Sequence, residues 1–218
     1  MSLPTPTTLL LDFGSVISFS AFERHRQSEQ LLGLPTGSLT WLGPIDPTTD
    51  PLWQAMQQAQ ITEREYWEQR AHEVGAMLGQ SWTPKDFFTA IRGSDPNLAI
   101  RPSALAAIRR VRAAGKTVGI LSNELELFWG RPFMDRLELL KEIDVLVDGT
   151  HTQYLKPDAR AYRMAIDLLK VDASAIVFVD DQSRNVAGAA AIGLNAVLFD
   201  LRQPDACFDS VRRMMGVA

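Results

Sequence analysis

The segment Thr8-Leu9-Leu10-Leu11-Asp12-Phe13 is a short apolar run that is typical of a buried β-strand. Gly14 and Ser15 follow it directly, and this pair predicts a turn. One strand is not stable by itself, so it must join a sheet that residues elsewhere in the chain form. Strands that could receive it are predicted after residue 99.

Residues 99–218 alternate between helical and strand-like patterns. In the helix predicted over 159–170, Tyr162, Ala165 and Leu169 recur at the i, i+3, i+7 spacing of one helix face. The predicted helices of this region are 102–114, 131–143, 159–170 and 185–192, and its predicted strands are 117–121, 144–147, 175–179 and 196–199. Such alternation needs crossover connections and predicts a parallel sheet flanked by helices.

Residues 17–98 are predicted to be helical and hold no convincing strand. Thr62 and Glu65 have the spacing of a capping box, and Thr83-Pro84 places a cap before an N1 proline. Four tryptophans are predicted to pack in the core of this stretch: Trp41, Trp53, Trp67 and Trp82. The fold class is therefore α/β, a Rossmann-like parallel sheet with a helical insert. The predicted core covers residues 1–16 and 99–218, and the predicted insert covers 17–98.

Composition excludes several classes of partner and location. The chain has 218 residues, 46% of them hydrophobic, and a net charge of −4 with no run of Lys and Arg. Nucleic acid and anionic membranes are therefore poor partners. The single cysteine, Cys207, rules out an internal disulfide framework. The apolar run of Leu9–Leu11 is too short for a signal peptide or membrane span, so we expect a cytoplasmic protein.

Chemically active residue types follow the predicted strands. In open parallel sheets, ligands bind beyond the carboxyl ends of the strands. The residues at these positions are Asp12, Gly14, Ser122, Asn123, Glu124, Lys156, Asp180 and Asp181. We therefore expect carboxylates, a hydroxyl and an ammonium group to meet at one edge of the sheet.

Each of these residues also has a structural interpretation when it is taken alone. Asp12 could cap a turn, Ser122-Asn123 is an ordinary turn pair, and Lys156 could be a solvated loop residue. Asp180 and Asp181 could cap the helix that follows them. Their combination favours a site, because three clustered acids repel one another and need a cation.

Four segments together resemble the motifs of the haloacid dehalogenase superfamily of hydrolases. They are Leu9-Leu10-Leu11-Asp12, Ile120-Leu121-Ser122-Asn123, Lys156-Pro157-Asp158-Ala159-Arg160-Ala161-Tyr162 and Val177-Phe178-Val179-Asp180-Asp181. The resemblance covers the whole chain, and the helical insert lies where the family has a helical cap domain.

The resemblance implies a mechanism and a set of site residues. Asp12 would be the nucleophile on a small phosphorylated substrate and would form an aspartyl-phosphate. Asp12, the backbone carbonyl of Gly14, and Asp180 or Asp181 would hold Mg²⁺. The groups expected at the phosphoryl oxygens are the Ser122 hydroxyl, the amide of Asn123 and the Lys156 ammonium.

The match departs from the family pattern at Gly14. Phosphatases of the superfamily typically carry a second Asp there, which protonates the leaving group and then activates water. Without a positioned acid, we expect a steep preference for activated aryl phosphates, unless Glu124 or a residue of the insert takes the role. Two alternatives stay open: a metal-independent 2-haloacid dehalogenase, against which Gly14 and Asp180-Asp181 argue, and a catalytically weak binding or regulatory protein.

Overall fold

The computed structural model describes residues 4–217 and contains one five-stranded parallel sheet. The strands are β1 (Thr8–Leu11), β2 (Thr117–Ser122), β3 (Val145–Asp148), β4 (Ile176–Asp180) and β5 (Asn195–Leu198). Their order in the sheet is β3-β2-β1-β4-β5, so the isolated first strand is central. The sequence prediction of an α/β fold with this parallel sheet is confirmed.

The central strand is buried on both faces. Leu9 and Leu11 pack into one apolar cluster, whereas Leu10 packs into another on the opposite face. Leu10 is paired in register with Gly119 of β2 and with Phe178 of β4. A continuous apolar run is what a strand covered by helices on both faces requires.

Ten α-helices lie in the described part of the chain. They are α1 (His25–Leu32), α2 (Pro51–Gln57), α3 (Glu63–Met77), α4 (Pro84–Arg92), α5 (Pro102–Ala113), α6 (Leu125–Trp129), α7 (Arg131–Met134), α8 (Ala159–Leu169), α9 (Ser183–Ala191) and α10 (Pro204–Met214). Short 3-10 turns lie at Phe22–Arg24, Pro47–Thr49, Pro96–Ala99, Glu138–Glu142 and Ala173–Ala175. None of the described helices is long and apolar enough to cross a membrane.

The insert has its own apolar cluster, which α1–α4 surround. Its large buried side chains are Phe22, Trp41, Trp53, Tyr66, Trp67 and Phe87. The capping boxes of α3 and α4 both form, with Thr62 and Thr83 as the N-caps. Within described residues 17–98, extended pairing is limited to two isolated bridges. The domain bounds stay a prediction, and their residues 1–3 and 218 lie outside the described part.

A buried polar group supports the insert from inside. Asp50 is fully buried, caps α2 by accepting from the Trp53 N–H at 2.9 Å, and accepts from the Tyr66 hydroxyl at 2.7 Å. Arg70 Nη2 donates to Asp50 at 2.5 Å. Because every partner is within hydrogen-bond distance, this charge is tolerated in the interior and ties α2 to α3.

The segments that enter and leave the insert run side by side and are hydrogen-bonded to each other. The Phe19 N–H donates to the Ala99 carbonyl at 2.8 Å, and the Arg101 N–H donates to the Ile17 carbonyl at 2.8 Å. The guanidinium of Arg101 is buried and holds Glu23 at 2.8–2.9 Å. These contacts between the two connecting segments hold the insert beside β1.

One predicted helix, over residues 131–143, is wrong. The structure has the short helices α6 and α7 instead, separated by Gly130 with a φ of 74°. Leu137 is extended, which ends the helical path before the 3-10 turn at Glu138–Glu142. The Leu125 and Glu126 N–H groups donate to the Asp148 carboxylate at 3.0 and 2.8 Å. This cap comes from β3, and a local sequence pattern therefore does not reveal α6.

Candidate active site

Lys156 joins two acids at the carboxyl edge of the sheet. Its Nζ lies 2.7 Å from Asp12 Oδ1 and 2.6 Å from Asp180 Oδ2. All three side chains are buried. Burial opposes the charge on Lys156, but the adjacent Asp12 and Asp180 carboxylates raise the pKa of its ammonium group above the usual value. Lys156 is therefore a fixed positive charge beside Asp12.

The side chain of Asn123 positions Lys156 by holding the Lys156 backbone. The Lys156 N–H donates to Asn123 Oδ1 at 2.7 Å, and Asn123 Nδ2 donates to the Lys156 carbonyl at 3.2 Å. On the other side, Asp180 accepts from the Gln182 N–H at 2.8 Å and from Asn185 Nδ2 at 3.1 Å. The charged groups are thus set by hydrogen bonds from Asn123 after β2 and from Gln182 and Asn185 after β4, which favours a preorganised site.

Three carboxylates form a candidate metal centre. One oxygen each from Asp12, Asp180 and Asp181 lies within 4.8 Å of the others. Asp181 is buried, yet none of the described residues donates a hydrogen bond to its carboxylate. Clustered, desolvated carboxylate oxygens of this kind fit a hard cation such as Mg²⁺.

The pKa values of two acids in this cluster, Asp12 and Asp181, are raised, and a bound cation would lower them. Burial raises the pKa of Asp12 to about 7, with Lys156 opposing the rise and Asp180 adding to it. Burial, followed by the charges of Asp180 and Asp12, raises the pKa of Asp181 well above its usual value. A bound divalent cation would favour the ionised form of both groups.

Gly14 follows the nucleophile position in an extended conformation. Its φ is −63° and its ψ is 135°, whereas the next residue, Ser15, has a φ of 63°. A Cβ added at Gly14 would meet Asp12 Oδ2 at 3.8 Å, which is ordinary van der Waals contact. The positive φ in this turn therefore lies at Ser15, and position 14 is sterically open to a side chain.

One cavity contains most of the predicted site. Its sheet wall consists of the residues at the sheet edge: Asp12, Gly14, Ser122, Asn123, Glu124, Lys156, Asp181 and Gln182. Asp180 is fully buried behind this wall. The structure thus brings all the predicted residues to one end of the sheet, with Asp181 facing the cavity and Asp180 behind Lys156.

In the described part of the chain, the insert wall of the same cavity carries five aromatic side chains and three serines. Its residues include Phe19, Phe22, Arg24, Trp53, Glu63, Trp67, Phe88 and Arg92. Trp53 and Trp67 belong to the insert core, as predicted, and also border the cavity. The sequence analysis predicted their burial and did not predict this second role.

A second acidic cluster, formed by Glu126, Asp148 and His151, has a structural explanation. The Asp148 carboxylate accepts from the N–H groups of Leu125, Glu126 and Thr150. Its charge is thereby satisfied at the start of α6. This arrangement does not require a metal.

Residues 18–193 match the family model of the haloacid dehalogenase-like hydrolases. The chain belongs to the haloacid dehalogenase-like hydrolases. The resemblance seen in the sequence motifs is thereby confirmed at the level of the family.

Relatives within these hydrolases have different activities. The chain is 32% identical to Phosphatase MT3486 of Mycobacterium tuberculosis over 99 residues, which are 45% of this chain and 46% of the relative. It is 33% identical to (S)-2-haloacid dehalogenase 1 of a Pseudomonas species over 101 residues, 46% of this chain and 44% of the relative. The chain thus spans less than half the length of these curated relatives.

The fold is shared with a solved dehalogenase. That structure has a TM-score of 0.60 and 17% identity, and the match covers 91% of this chain and 87% of the other. This likeness concerns the fold alone. The assignment to the haloacid dehalogenase-like hydrolases rests on the family match.

Polar contacts join the two walls in this haloacid dehalogenase-like hydrolase. Asn123 Nδ2 donates to Glu63 Oε2 at 3.1 Å, and Arg64 forms an ion pair with the buried Glu124. Gln57 Nε2 donates to Gln182 Oε1 at 3.2 Å. Sequence reasoning missed Glu63 and Arg64, because in the first turn of α3 the local pattern marks only Glu65, as part of the capping box.

Glu124 is unsuited to replace the acid missing at Gly14. Its carboxylate is engaged by Arg64 Nε at 2.9 Å and by a second guanidinium nitrogen. Burial raises the pKa of Glu124, and its hydrogen bond with Arg64 opposes that rise. Both nitrogens contact the same oxygen, Oε1, and this ion pair commits the Glu124 carboxylate to the contact between the walls.

Proposed function

We propose that this hydrolase is a Mg²⁺-dependent phosphatase acting on a small phosphorylated metabolite in the cytoplasm. The observation that carries the proposal is that Asp12 lies beside the Lys156 ammonium and belongs to the acidic cluster. Phosphoryl transfer requires a nucleophile with strong neutralisation of charge around it. Asp12 has both a cation beside it and carboxylates that suit a metal.

The proposed metal ligands are Asp12, the Gly14 carbonyl and Asp181. Asp180, which lies behind Lys156, is the alternative to Asp181. The cavity-facing position of Asp181 and its lack of a hydrogen-bond donor among the described residues favour it over Asp180 as the direct ligand. When bound, Mg²⁺ would neutralise charge on the phosphoryl oxygens.

The remaining roles belong to the chain itself. A carboxylate oxygen of Asp12 attacks phosphorus as the bond to the leaving oxygen breaks, giving an aspartyl-phosphate. Water then attacks that phosphorus, which releases inorganic phosphate and restores Asp12. Lys156 stabilises the charge that develops on the phosphoryl oxygens, and we assign the Ser122 hydroxyl and the amide of Asn123 to the same oxygens.

The insert is proposed to act as the cap of this site. Its aromatic wall would contact the part of the substrate that departs, because the leaving group lies opposite Asp12 in an in-line displacement. Apolar, ring-bearing or compact organic groups fit such a wall better than strongly hydrated ones.

A second candidate is 2-haloacid dehalogenation, which the similarity to a Pseudomonas dehalogenase favours. In that reaction Asp12 would attack carbon and expel halide, and neither a metal nor the acidic pair would be needed. The desolvated Asp180–Asp181 cluster is the observation that places this candidate second.

Both candidates are tested with the purified protein. We expect phosphate release from an aryl phosphate with Mg²⁺ and none after treatment with EDTA. Chloride release from a 2-chloroacid, unaffected by EDTA, would establish the dehalogenase instead. Mg²⁺ binding without turnover of either substrate would identify a binding or regulatory protein.

A further inference from the structure

The proposed phosphatase needs a proton donor that position 14 does not supply. An alkoxide is a poor leaving group, and its departure is assisted by a positioned acid. The cavity is lined by four carboxyl side chains among the described residues: Asp12, Glu63, Glu124 and Asp181. Its described lining includes no His, Tyr or Cys. The donor is therefore sought among these carboxyl groups.

Three of the four have other commitments. Asp12 is the proposed nucleophile, and Asp181 belongs to the proposed metal centre. Glu124 Oε1 is held by two guanidinium nitrogens of Arg64. Glu63 is the carboxyl group of the described lining that none of these roles uses.

Glu63 projects from the insert wall toward the sheet wall. Its Oε2 accepts from Asn123 Nδ2 at 3.1 Å, and Asn123 in turn holds the backbone of Lys156. The nearest cation, Arg184 Nη2, is 3.9 Å away, so the contact is loose. Glu63 lines the same cavity as Asp12 and Asp181.

The location of Glu63 suits a proton donor in an in-line reaction. The leaving oxygen departs on the side of phosphorus opposite Asp12, and the water that hydrolyses the intermediate attacks from that same side. Glu63 comes from the insert, across the cavity from the sheet edge that carries Asp12. One carboxyl group placed there can act in both half-reactions.

We propose that Glu63 is the general acid and base of this enzyme, an inference that rests on the proposed phosphatase function. In the first step the protonated Glu63 donates its proton to the leaving oxygen as Asp12 takes the phosphoryl group. In the second step the Glu63 carboxylate takes a proton from the attacking water. Release of phosphate then leaves Asp12 ionised and Glu63 protonated, as at the start.

The test compares Glu63→Gln with the wild type on aryl and alkyl phosphates. The quantity is kcat/KM, which reports the steps through transfer of the phosphoryl group to Asp12. We expect a loss of about 10²- to 10⁴-fold on alkyl phosphates and a loss of less than about 10-fold on an aryl phosphate with a good leaving group. The amide oxygen of Gln can still accept from Asn123, so the contact between the walls is retained.

Two further variants sharpen the test. Glu68→Gln makes the same change at an exposed position of α3 that does not line the cavity, and we expect it to match the wild type on both substrates. Adding Gly14→Asp to Glu63→Gln supplies a carboxyl group at the sterically open position 14, and we expect partial recovery on alkyl phosphates.

Two results would overturn the role of Glu63. In one, the wild type already shows a steep preference for aryl phosphates and Glu63→Gln leaves that preference unchanged. In the other, Glu63→Gln lowers kcat/KM equally for both classes, which would make Glu63 a positioning residue. Either result requires an active wild-type phosphatase. A wild type with no Mg²⁺-dependent phosphate release would instead refute the proposed function.

Discussion

The two walls of the cavity are built from different chemistry. The sheet wall carries ionisable side chains that are buried and held by several hydrogen bonds, such as Lys156 between Asp12 and Asp180. The insert wall presents five aromatic rings among the described residues and reaches the sheet wall through a few polar contacts from α2 and α3. We propose that the sheet wall supplies the nucleophile and the charged groups around it, whereas the insert wall contacts the departing part of the substrate and contributes Glu63.

If this division is right, the largest loss of activity should follow a change at Asp12. Asp12→Asn fills the same volume but cannot attack phosphorus, so we expect kcat to fall by about 10³-fold or more. Steady-state kinetics with an aryl phosphate and circular dichroism would measure activity and fold together. A folded variant with wild-type turnover would show that Asp12 is not the nucleophile.

A change at Lys156 should affect stability as well as activity. Lys156→Met leaves two buried carboxylates without their cation, and removal of one partner from a buried pair costs about 3–5 kcal/mol. We expect the urea midpoint to fall accordingly in EDTA and to recover partly in Mg²⁺. A variant as stable as the wild type in EDTA would show that the pair is not strongly coupled.

Mg²⁺ itself should stabilise the protein in a pH-dependent way. Because burial raises the pKa of Asp12 to about 7, the folded protein holds a proton there between about pH 4 and 7 that the unfolded chain has lost. The metal-free protein should therefore lose stability as the pH rises through this window. Mg²⁺ competes with that proton, so its stabilising effect should grow as the pH rises past 7.

Thermal unfolding at pH 6 and pH 8 measures this effect. At a Mg²⁺ concentration about 100 times Kd, the expected stabilisation is about 2.7 kcal/mol where the site is ionised, and less at the lower pH. The same titration with Asp181→Asn is the control, because that variant lacks a proposed ligand. Equal shifts at both pH values would contradict the proton competition.

The aromatic side chains of the insert wall should give smaller effects, confined to substrate binding. Phe88 lines the cavity and packs edge-on against Trp67 with ring centroids 4.8 Å apart. Phe88→Leu keeps an apolar side chain but removes the ring, and we expect KM for an aryl phosphate to rise about 2- to 10-fold with kcat little changed. A fall in kcat comparable with that of Asp12→Asn would erase the distinction between the walls.

The sheet wall was also the more predictable of the two. Its strands are continuous apolar runs, and the carboxyl ends of parallel strands meet by topology, so Asp12, Ser122, Lys156 and Asp180 could be placed together from sequence. The hydrogen bonds that Asn123 makes with the backbone of Lys156 were not foreseen, because they join loops 33 residues apart.

The insert wall depends on contacts that no local pattern reveals. The helices at Glu63–Met77 and Pro84–Arg92 were predicted from their caps, but their orientation toward the sheet was not. Glu63 therefore went unnoticed. The helix prediction over 131–143 failed for a related reason, since α6 begins where Asp148 of β3 accepts from its first N–H groups.

The central claim is that Asp12 takes the phosphoryl group, and the covalent intermediate tests it most directly. The enzyme is mixed with an aryl phosphate and Mg²⁺, quenched in acid during turnover, and analysed by peptide mass spectrometry. The account predicts that the peptide containing Asp12 gains one HPO₃ group, and that neither Asp12→Asn nor an EDTA-treated sample shows this gain. Turnover of the phosphate ester without such an adduct, or with the adduct on another residue, would contradict it.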